Sequence, residues 1–431
     1  MIKTIHSYLL YILCSLCTLC VSCGGQGNST ERDDSKPTAD LTIDTALIQR
    51  VEALVAGRVK MSDEQLCISL YDLTADTTVY QFRSQTPIVP ASCLKLLTAI
   101  AAMREMGMDY EFHDSLFIKG EIQNGTLYGS VIVKADDDPL FESFDGFAQA
   151  LSEAGISRIE GDIVLDLARA DTLKAHPTAK TWDIPYHKLP LLLKGHERIR
   201  KEFMFQLNAN GIRFHENPVF AAHDIANRDA STTPLLHRLA IDMASCGAQA
   251  IAGETHRLTE VITPMLMHSS NIKADALYWH LQNVYGRLYD ENLIHHFLRK
   301  EMDIDYPTSG LIIHDGSGLS PQNRLCTDFL TQLLRYAYGK PLMFLYLIGE
   351  ALPTPGAGER CGTLQERMAN TACVGRIFCK TGTLVTLGGS GLAGFAKGSN
   401  RHWYAFAILN IDMPVADARI FQDRFCKEIV K

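Results

Sequence analysis

Ser92-Cys93-Leu94-Lys95 places a hydroxyl and an amine three residues apart. On a helix, positions i and i+3 are neighbours, so the Lys95 amine can stand against the Ser92 hydroxyl. A serine hydroxyl is a poor nucleophile at neutral pH and needs an adjacent base to take its proton. Lysine serves as that base only where burial or a second cation lowers its pKa. Such a box is common by chance, and a second one, Ser270-Asn271-Ile272-Lys273, lacks the apolar setting that surrounds the first. Company gives the first one its weight: Ser269-Ser270-Asn271 and Lys380-Thr381-Gly382-Thr383 follow it in order. A serine, an amine base, a second serine with an amide, and a second cation are the parts of an acyl transfer.

Certain elements must position these parts. Pro90 to Met103 reads as a helix apolar on nearly all sides, with Ser92 near its start, as a central buried helix would be. From Ile43 a helical pattern with Leu47, Val51 and Leu54 on one face runs to Gly57. Cys67 to Leu73 alternates like a strand, turns at Thr74–Thr77, and returns over Thr78 to Phe82 as a hairpin. Two more strands between Phe112 and Ala135 are joined by Asn124-Gly125, a strong hairpin signal. A helix around Phe147–Ala154 and a strand over Arg158–Leu167 come next. Tyr186 to Lys201, rich in Lys, Arg and His, reads as a solvated face. Helical pattern resumes at Leu258 and continues to Ile294 and beyond, with Ser269 to Asn271 opening one stretch of it. Three strands over 376–383, 391–396 and 403–410 place Lys380 on a sheet, and Ala416–Lys431 closes the chain as a helix with Ile420, Phe421 and Phe425 on one side. The fold class expected is α+β with a strand-rich insertion.

Taken together, Pro90 to Ala99, Ser269-Ser-Asn-Ile-Lys-Ala-Asp275, His314-Asp-Gly-Ser-Gly-Leu-Ser320 and Lys380-Thr-Gly-Thr383 resemble the class C low-molecular-mass penicillin-binding proteins. Those are D-alanyl-D-alanine carboxypeptidases, often with endopeptidase activity. The resemblance implies a penicillin-binding-protein/β-lactamase-like fold, an antiparallel sheet flanked by helices. It divides the chain into a first peptidase part over 43–111, an inserted accessory domain over 112–253, and a second peptidase part over 254–431. It implies that Ser92 attacks the penultimate D-alanine carbonyl, with Lys95 as base and Ser269 relaying the proton to the leaving amine. Asn271, Lys380, Thr381 and Gly382 would bind substrate, and the backbone N–H groups of Ser92 and Thr383 would form the oxyanion hole. The implied partners are peptidoglycan stem peptides ending in D-Ala-D-Ala, with β-lactams as inhibitors, and no cofactor or metal. Cys93 holds a variable position in its motif and is expected to be open to oxidation or alkylation.

Composition narrows the alternatives. Lys+Arg number 41 against 49 Asp+Glu, a formal net charge of -8, which disfavours nucleic-acid binding. Met1 to Ser22 has Lys3 followed by an apolar run too short to span a membrane, and reads as a signal peptide. Cys20-Val21-Ser22-Cys23 resembles a lipobox, which makes Cys23 the lipidation candidate and residues 23–42 a flexible tether to the membrane; an exported, periplasmic and lipid-anchored protein is expected. The three-residue spacing of Cys14, Cys17, Cys20 and Cys23 mimics a metal box inside that leader. Export permits disulfides among the remaining cysteines, but their spacing names no pairs. A serine β-lactamase is the first alternative; the Glu-Leu-Asn order one such class uses is reversed here, at Glu291-Asn292-Leu293. The second alternative, a noncatalytic peptidoglycan-binding module, would be favoured by lost catalytic groups. His295-His296 point about 100° apart on a helix, a poor arrangement for one metal.

Overall fold

The computed structural model describes residues 42–168, 172–179, 184, 186–215, 218–220, 247–282, 293–306 and 308–431. The expected signal peptide, Cys23 and the tether up to residue 41 lie outside the described residues, as do Cys246, Glu291 and Asn292. Helix α1 (Thr45–Ala56) leads into the hairpin β1 (Leu66–Asp72) and β2 (Thr77–Phe82), then α2 (Lys95–Glu105). Next come β3 (Glu111–Gln123), β4 (Thr126–Ala135), α3 (Asp145–Glu153), β5 (Arg158–Ile159), β6 (Ile163–Leu167), α4 (His196–Ala209), β7 (Arg213–Phe214), β8 (Val219–Phe220) and β9 (Gln249–Arg257). Helices α5 (Leu258–Met267), α6 (Asn271–His280), α7 (Leu293–Glu301), α8 (Thr327–Tyr338) and α9 (Pro341–Tyr346) follow. Strands β10 (Ile377–Leu384), β11 (Gly389–Lys397) and β12 (Trp403–Asn410) and helix α10 (Val415–Val430) complete the chain.

Five strands form an antiparallel sheet in the order β10-β11-β12-β1-β2, so the C-terminal strands pair directly with the N-terminal hairpin. Side chains alternate across a strand, and here both faces are buried. Leu66, Ile68 and Leu70 of β1, with Tyr404, Phe406 and Ile408 of β12, pack against α1 and α10. Cys67, Ala405, Ala407 and Leu409 face the opposite core, built from α2, α5, α7 and α8. Small residues on that second face let the helices approach the sheet closely. Nine consecutive residues of α2, Lys95 to Met103, are buried, which makes it the central helix its composition implies.

A second sheet of seven strands runs β7-β5-β4-β3-β9, with β6 on β4 and β8 on β6. Asn124 and Gly125, both at positive φ, make the two-residue turn between β3 and β4. This sheet carries its own core, in which Phe141, Phe144, Phe147 and Phe203 meet ring to ring.

Several expectations need correction. The strand expected over Arg158–Leu167 is two, interrupted where Gly161 packs on the Gly129 backbone too closely for any side chain. The helical run from Leu258 is broken at His268–Ser270, with Ser269 in the left-handed region at φ 58°. On α1 the buried stripe is Leu47, Val51 and Val55, with Leu54 only half-buried; on α10 Ile420 is 54% exposed while Phe421 and Phe425 are buried. Both are one-position errors on a helix face, which periodicity alone does not resolve.

Candidate active site

The nucleophile candidate sits on a 3-10 turn. Ala91–Leu94 winds as 3-10 before α2 begins at Lys95, and in that tighter helix residues i and i+3 eclipse. Lys95 Nζ is therefore 2.9 Å from Ser92 Oγ. The turn is entered through Ala91 at φ 47°, a left-handed conformation that non-glycine residues rarely hold. Gly382 of β10 lies directly against it: a Cβ there would stand 2.9 Å from Pro90 O and 3.2 Å from Ser92 N. The third motif thus touches the backbone of the first, and its glycine makes the approach possible.

Lys95 is fully buried, and its amine meets three acceptors: Ser92 Oγ, Asn271 Oδ1 at 2.8 Å and the Ser317 carbonyl at 2.6 Å. Burial, then the positive charge of Lys380, pulls its pKa down to about 7, against the pull of Asp275 and Asp315 upward. A neutral amine has two hydrogens, and Asn271 Oδ1 and Ser317 O accept both. Its lone pair then faces Ser92, whose O–H donates to it. That is the arrangement a base requires.

Lys380 is equally buried and donates to Ser269 Oγ at 2.8 Å and to the Thr381 carbonyl at 2.7 Å. Burial lowers its pKa to about 8. Ser269 reaches it because the chain breaks between α5 and α6, where Ser269 takes its left-handed conformation. Ser270 caps α6 by accepting the Lys273 N–H, so the second Ser-x-x-Lys box is a helix cap and pairs no amine with its serine. All of Ser92, Lys95, Ser269, Asn271, Lys380, Thr381 and Gly382 meet in one cluster, with Thr383 next along β10.

Sequence reasoning gave no role to several residues here. Asp315, buried, accepts from Gly318 N (2.7 Å), Ser320 N (2.6 Å) and Asn323 Nδ2 (3.0 Å). It folds the Asp-Gly-Ser-Gly-Leu-Ser run into the loop that presents Ser317 O to Lys95. Asp275 accepts from Gly316 N at 3.1 Å, and burial followed by repulsion from Asp315 pushes its pKa up. A lone acid between Ala274 and Ala276 was the available signal. Thr363 accepts from the Thr381 hydroxyl at 2.8 Å, and Arg419 Nη2 donates to Thr383 Oγ1 at 3.0 Å; nothing in the sequence singles out either. Lys188 and Lys194, read as part of a solvated face, line a cleft of about 330 Å³ beside Ser270 together with Lys273 and Glu142.

Cys93 differs from expectation. It is fully buried, and burial raises its thiol pKa to about 12, so it carries almost no thiolate and is shielded from reagents. The seven described cysteines are all buried free thiols. Of the adjacent histidines, His295 stacks on Tyr306 at 3.7 Å; elsewhere His314 stacks on His176 at 4.4 Å.

An antiparallel sheet flanked by helices, with Ser-x-x-Lys at the head of the central helix and Lys-Thr-Gly on the facing strand, is the architecture of the penicillin-binding-protein/β-lactamase fold. The chain belongs to the D-Ala-D-Ala carboxypeptidase 3 (S13) family, whose model matches residues 47–187 and 237–424. It is 32% identical over 169 residues to a D-alanyl-D-alanine carboxypeptidase of Actinomadura sp. (strain R39), covering 38% of this chain and 30% of that one. It is 31% identical over 97 residues to D-alanyl-D-alanine carboxypeptidase DacB of Haemophilus influenzae, covering 22% of this chain and 20% of that one. These matches span less than a third of the curated relatives' length. Among solved structures, penicillin binding protein 4 (dacB) from Haemophilus influenzae superposes with a TM-score of 0.64 at 18% identity, covering 87% of this chain and 97% of that one. The predatory peptidoglycan endopeptidase Bd3459 from Bdellovibrio bacteriovorus gives a TM-score of 0.56 at 17% identity, covering 83% and 90%. At these identities the two structures speak for the fold.

Proposed function

We propose that the protein is a serine-type D-alanyl-D-alanine carboxypeptidase that also acts as a D,D-endopeptidase on peptidoglycan stem peptides. The observation that carries this is the fully buried Lys95 amine 2.9 Å from Ser92 Oγ, within a chain of the S13 family. Ser92 Oγ attacks the carbonyl carbon of the penultimate D-alanine, and its proton moves to Lys95 Nζ. The negative charge that develops on the carbonyl oxygen meets the N–H groups of Ser92 and Thr383, where one lost donor typically costs about 10²–10³ in rate. The C–N bond then breaks as the leaving nitrogen takes the Ser269 proton, Ser269 is reprotonated by the proton that Lys95 took from Ser92, and the terminal D-alanine departs with both groups returned to their starting states. Lys380 holds Ser269 by hydrogen bond and supplies positive charge toward the substrate carboxylate; Asn271 holds a substrate amide, and the Thr381 hydroxyl turns from Thr363 to give its hydrogen to a carboxylate oxygen. Water hydrolyses the ester, giving the shortened peptide and free Ser92. A β-lactam carbonyl enters the same cycle and stops at the ester.

The chain organisation that accompanies this reading has a signal peptide over 1–22, a tether over 23–42 lipidated at Cys23, and peptidase parts over 43–111 and 254–431. Residues 112–253 form the accessory domain; the sheet built between Glu111 and Arg257, with its own aromatic core, supports that division. An exported, periplasm-facing enzyme on a lipid anchor follows from it.

Intact mass during incubation with benzylpenicillin, beside Ser92→Ala, tests the reading. One persistent adduct on the wild type, absent from the variant, together with release of D-alanine from a D-Ala-D-Ala peptide, is the expected result. An adduct that forms and clears while penicillin is consumed would make the protein a β-lactamase. No adduct and no peptide cleavage by folded protein would make it a noncatalytic module.

A further inference from the structure

We infer that Thr98 of α2 and Asp275 of α6 are positioning residues that clamp Gly316 at both of its backbone groups, and so fix the Ser317 carbonyl on the Lys95 amine. This rests on the peptidase reading above and names what keeps its base aimed.

Of the three acceptors on Lys95, Ser92 stands on the 3-10 turn and Asn271 on α6, whereas the Ser317 carbonyl stands on a loop. A loop carbonyl keeps its place only where the backbone before it cannot turn, and glycine is the residue most free to turn. Gly316 is tied on both sides. Its N–H donates to Asp275 Oδ1 at 3.1 Å, and its carbonyl accepts from Thr98 Oγ1 at 2.7 Å. A larger residue could not lie there, because a Cβ would stand 2.5 Å from Ala274 O of α6. Two residues on, Gly318 packs against the Ala91 carbonyl, at the entry to the turn that carries Ser92. The loop is thus wedged between the helix of Asn271 and the turn of the nucleophile.

Both clamping side chains come from the helices that carry the base and its other acceptor. Thr98 lies three residues beyond Lys95 on α2 and Asp275 four beyond Asn271 on α6, so each pair shares a helix face. Thr98 and Asp275 are both buried, where a lost hydrogen bond is not replaced by water. Ser317 O accepts from Lys95 in either charge state, but the bond from the ammonium is the stronger. Fixing that carbonyl therefore favours the charged form while holding the lone pair of the neutral form toward Ser92. The other charged or titratable groups facing Lys95 are Lys380 of β10, Asp275 of α6, Asp315 of the loop and Cys93 of the turn. Thr98 is uncharged, so its replacement leaves all of them in place.

The test measures the second-order rate of Ser92 acylation by benzylpenicillin against pH, with a thermal melt, for wild type, Thr98→Val, Thr98→Ser and Asp275→Ala. Thr98→Val nearly keeps the shape and loses the hydroxyl. Its plateau rate should fall about tenfold, because the base is no longer held on Ser92. Its rising limb should move acid by about half a unit to one unit, because the ammonium loses a fixed acceptor. Thr98→Ser restores the hydroxyl and should bring both back toward wild type. Asp275→Ala should move the limb at least as far, since it also removes a negative neighbour that raises the Lys95 pKa. If that variant does not fold, the two Thr98 variants decide. A Thr98→Val limb that stays in place or moves alkaline, whatever the melt shows, would overturn the inference, as would Thr98→Ser behaving like Thr98→Val. With wild type acylated, those results refute the clamp alone. A folded wild type that is neither acylated nor able to release D-alanine from a D-Ala-D-Ala peptide refutes the peptidase reading with it.

Discussion

Gly382→Ala is the sharpest perturbation of the contact between the first and third motifs. The added Cβ would stand 2.9 Å from Pro90 O, 3.2 Å from the Ala91 Cβ and 3.2 Å from Ser92 N, and carbon rarely comes nearer than about 3.4 Å to a backbone oxygen. Strand β10 and the turn at Ala91–Leu94 must therefore part by about half an ångström. An oxyanion donor works within a window of about 2.7–3.1 Å, so an opening of that size takes one of the two N–H groups out of range. Since a misplacement of about 1 Å costs roughly 10²-fold, the second-order rate of Ser92 acylation by benzylpenicillin should fall about tenfold to a hundredfold. Stability should fall too, by about 1–3 kcal/mol, because the clash is with backbone and restricting the unfolded chain recovers only about 0.4–1 kcal/mol. Gly253→Ala in β9 is the control: the same substitution on a strand, with its nearest atom at an ordinary 3.4 Å. Intact-mass kinetics and a thermal melt read both variants. Wild-type acylation by folded Gly382→Ala would refute the argument that β10 and Ser92 are held at contact distance.

Acylation should rise with pH through about 7, because the base form of Lys95 is the neutral one and its pKa is lowered to that value, and a rate flat from pH 5 to 9 would refute Lys95 as the base. Lys380→Gln removes a positive neighbour that lowers the Lys95 pKa, so the rising limb should move alkaline by about one unit; an acid shift would contradict the sign. Asp315→Asn removes a negative neighbour that raises it, so the same limb should move acid, and with three hydrogen bonds of the loop disturbed the melting temperature should also drop. Cys93 should resist iodoacetamide in the native protein and react after unfolding, as judged by peptide mapping; rapid native labelling would mean the central helix opens.

Local chemistry was the part legible in the residues themselves. The three-residue offset of Ser92 and Lys95 sits within one helical turn, and any helix or 3-10 turn brings the two groups together. Alternation wrote the strands of the central sheet, and Asn124-Gly125 specified a turn that only residues tolerant of positive φ make cheaply. Composition made α2 a buried helix, and burial is what lowers the pKa of its lysine to about 7. By contrast, each partner that finishes the site arrives from far along the chain. Asn271, Ser317 O and Lys380 converge on the first motif through packing of α6, the Asp315 loop and β10, and no spacing rule encodes such a meeting. The break that frees Ser269 came from tertiary override of a helical pattern, because a residue must leave the helix for its hydroxyl to reach Lys380. Ile420 and Leu54 show the finer limit: a helix stripe can rotate by one residue without changing its periodicity, and only the sheet it packs on fixes which side chain is covered. Arg419 and Thr363 were invisible for the same reason, as single polar residues whose meaning depends on the strand they face. Sequence determined the Ser92–Lys95 pair and the elements that carry it; the fold decided the charge environment, because burial and the distances between charges exist only once distant segments have packed.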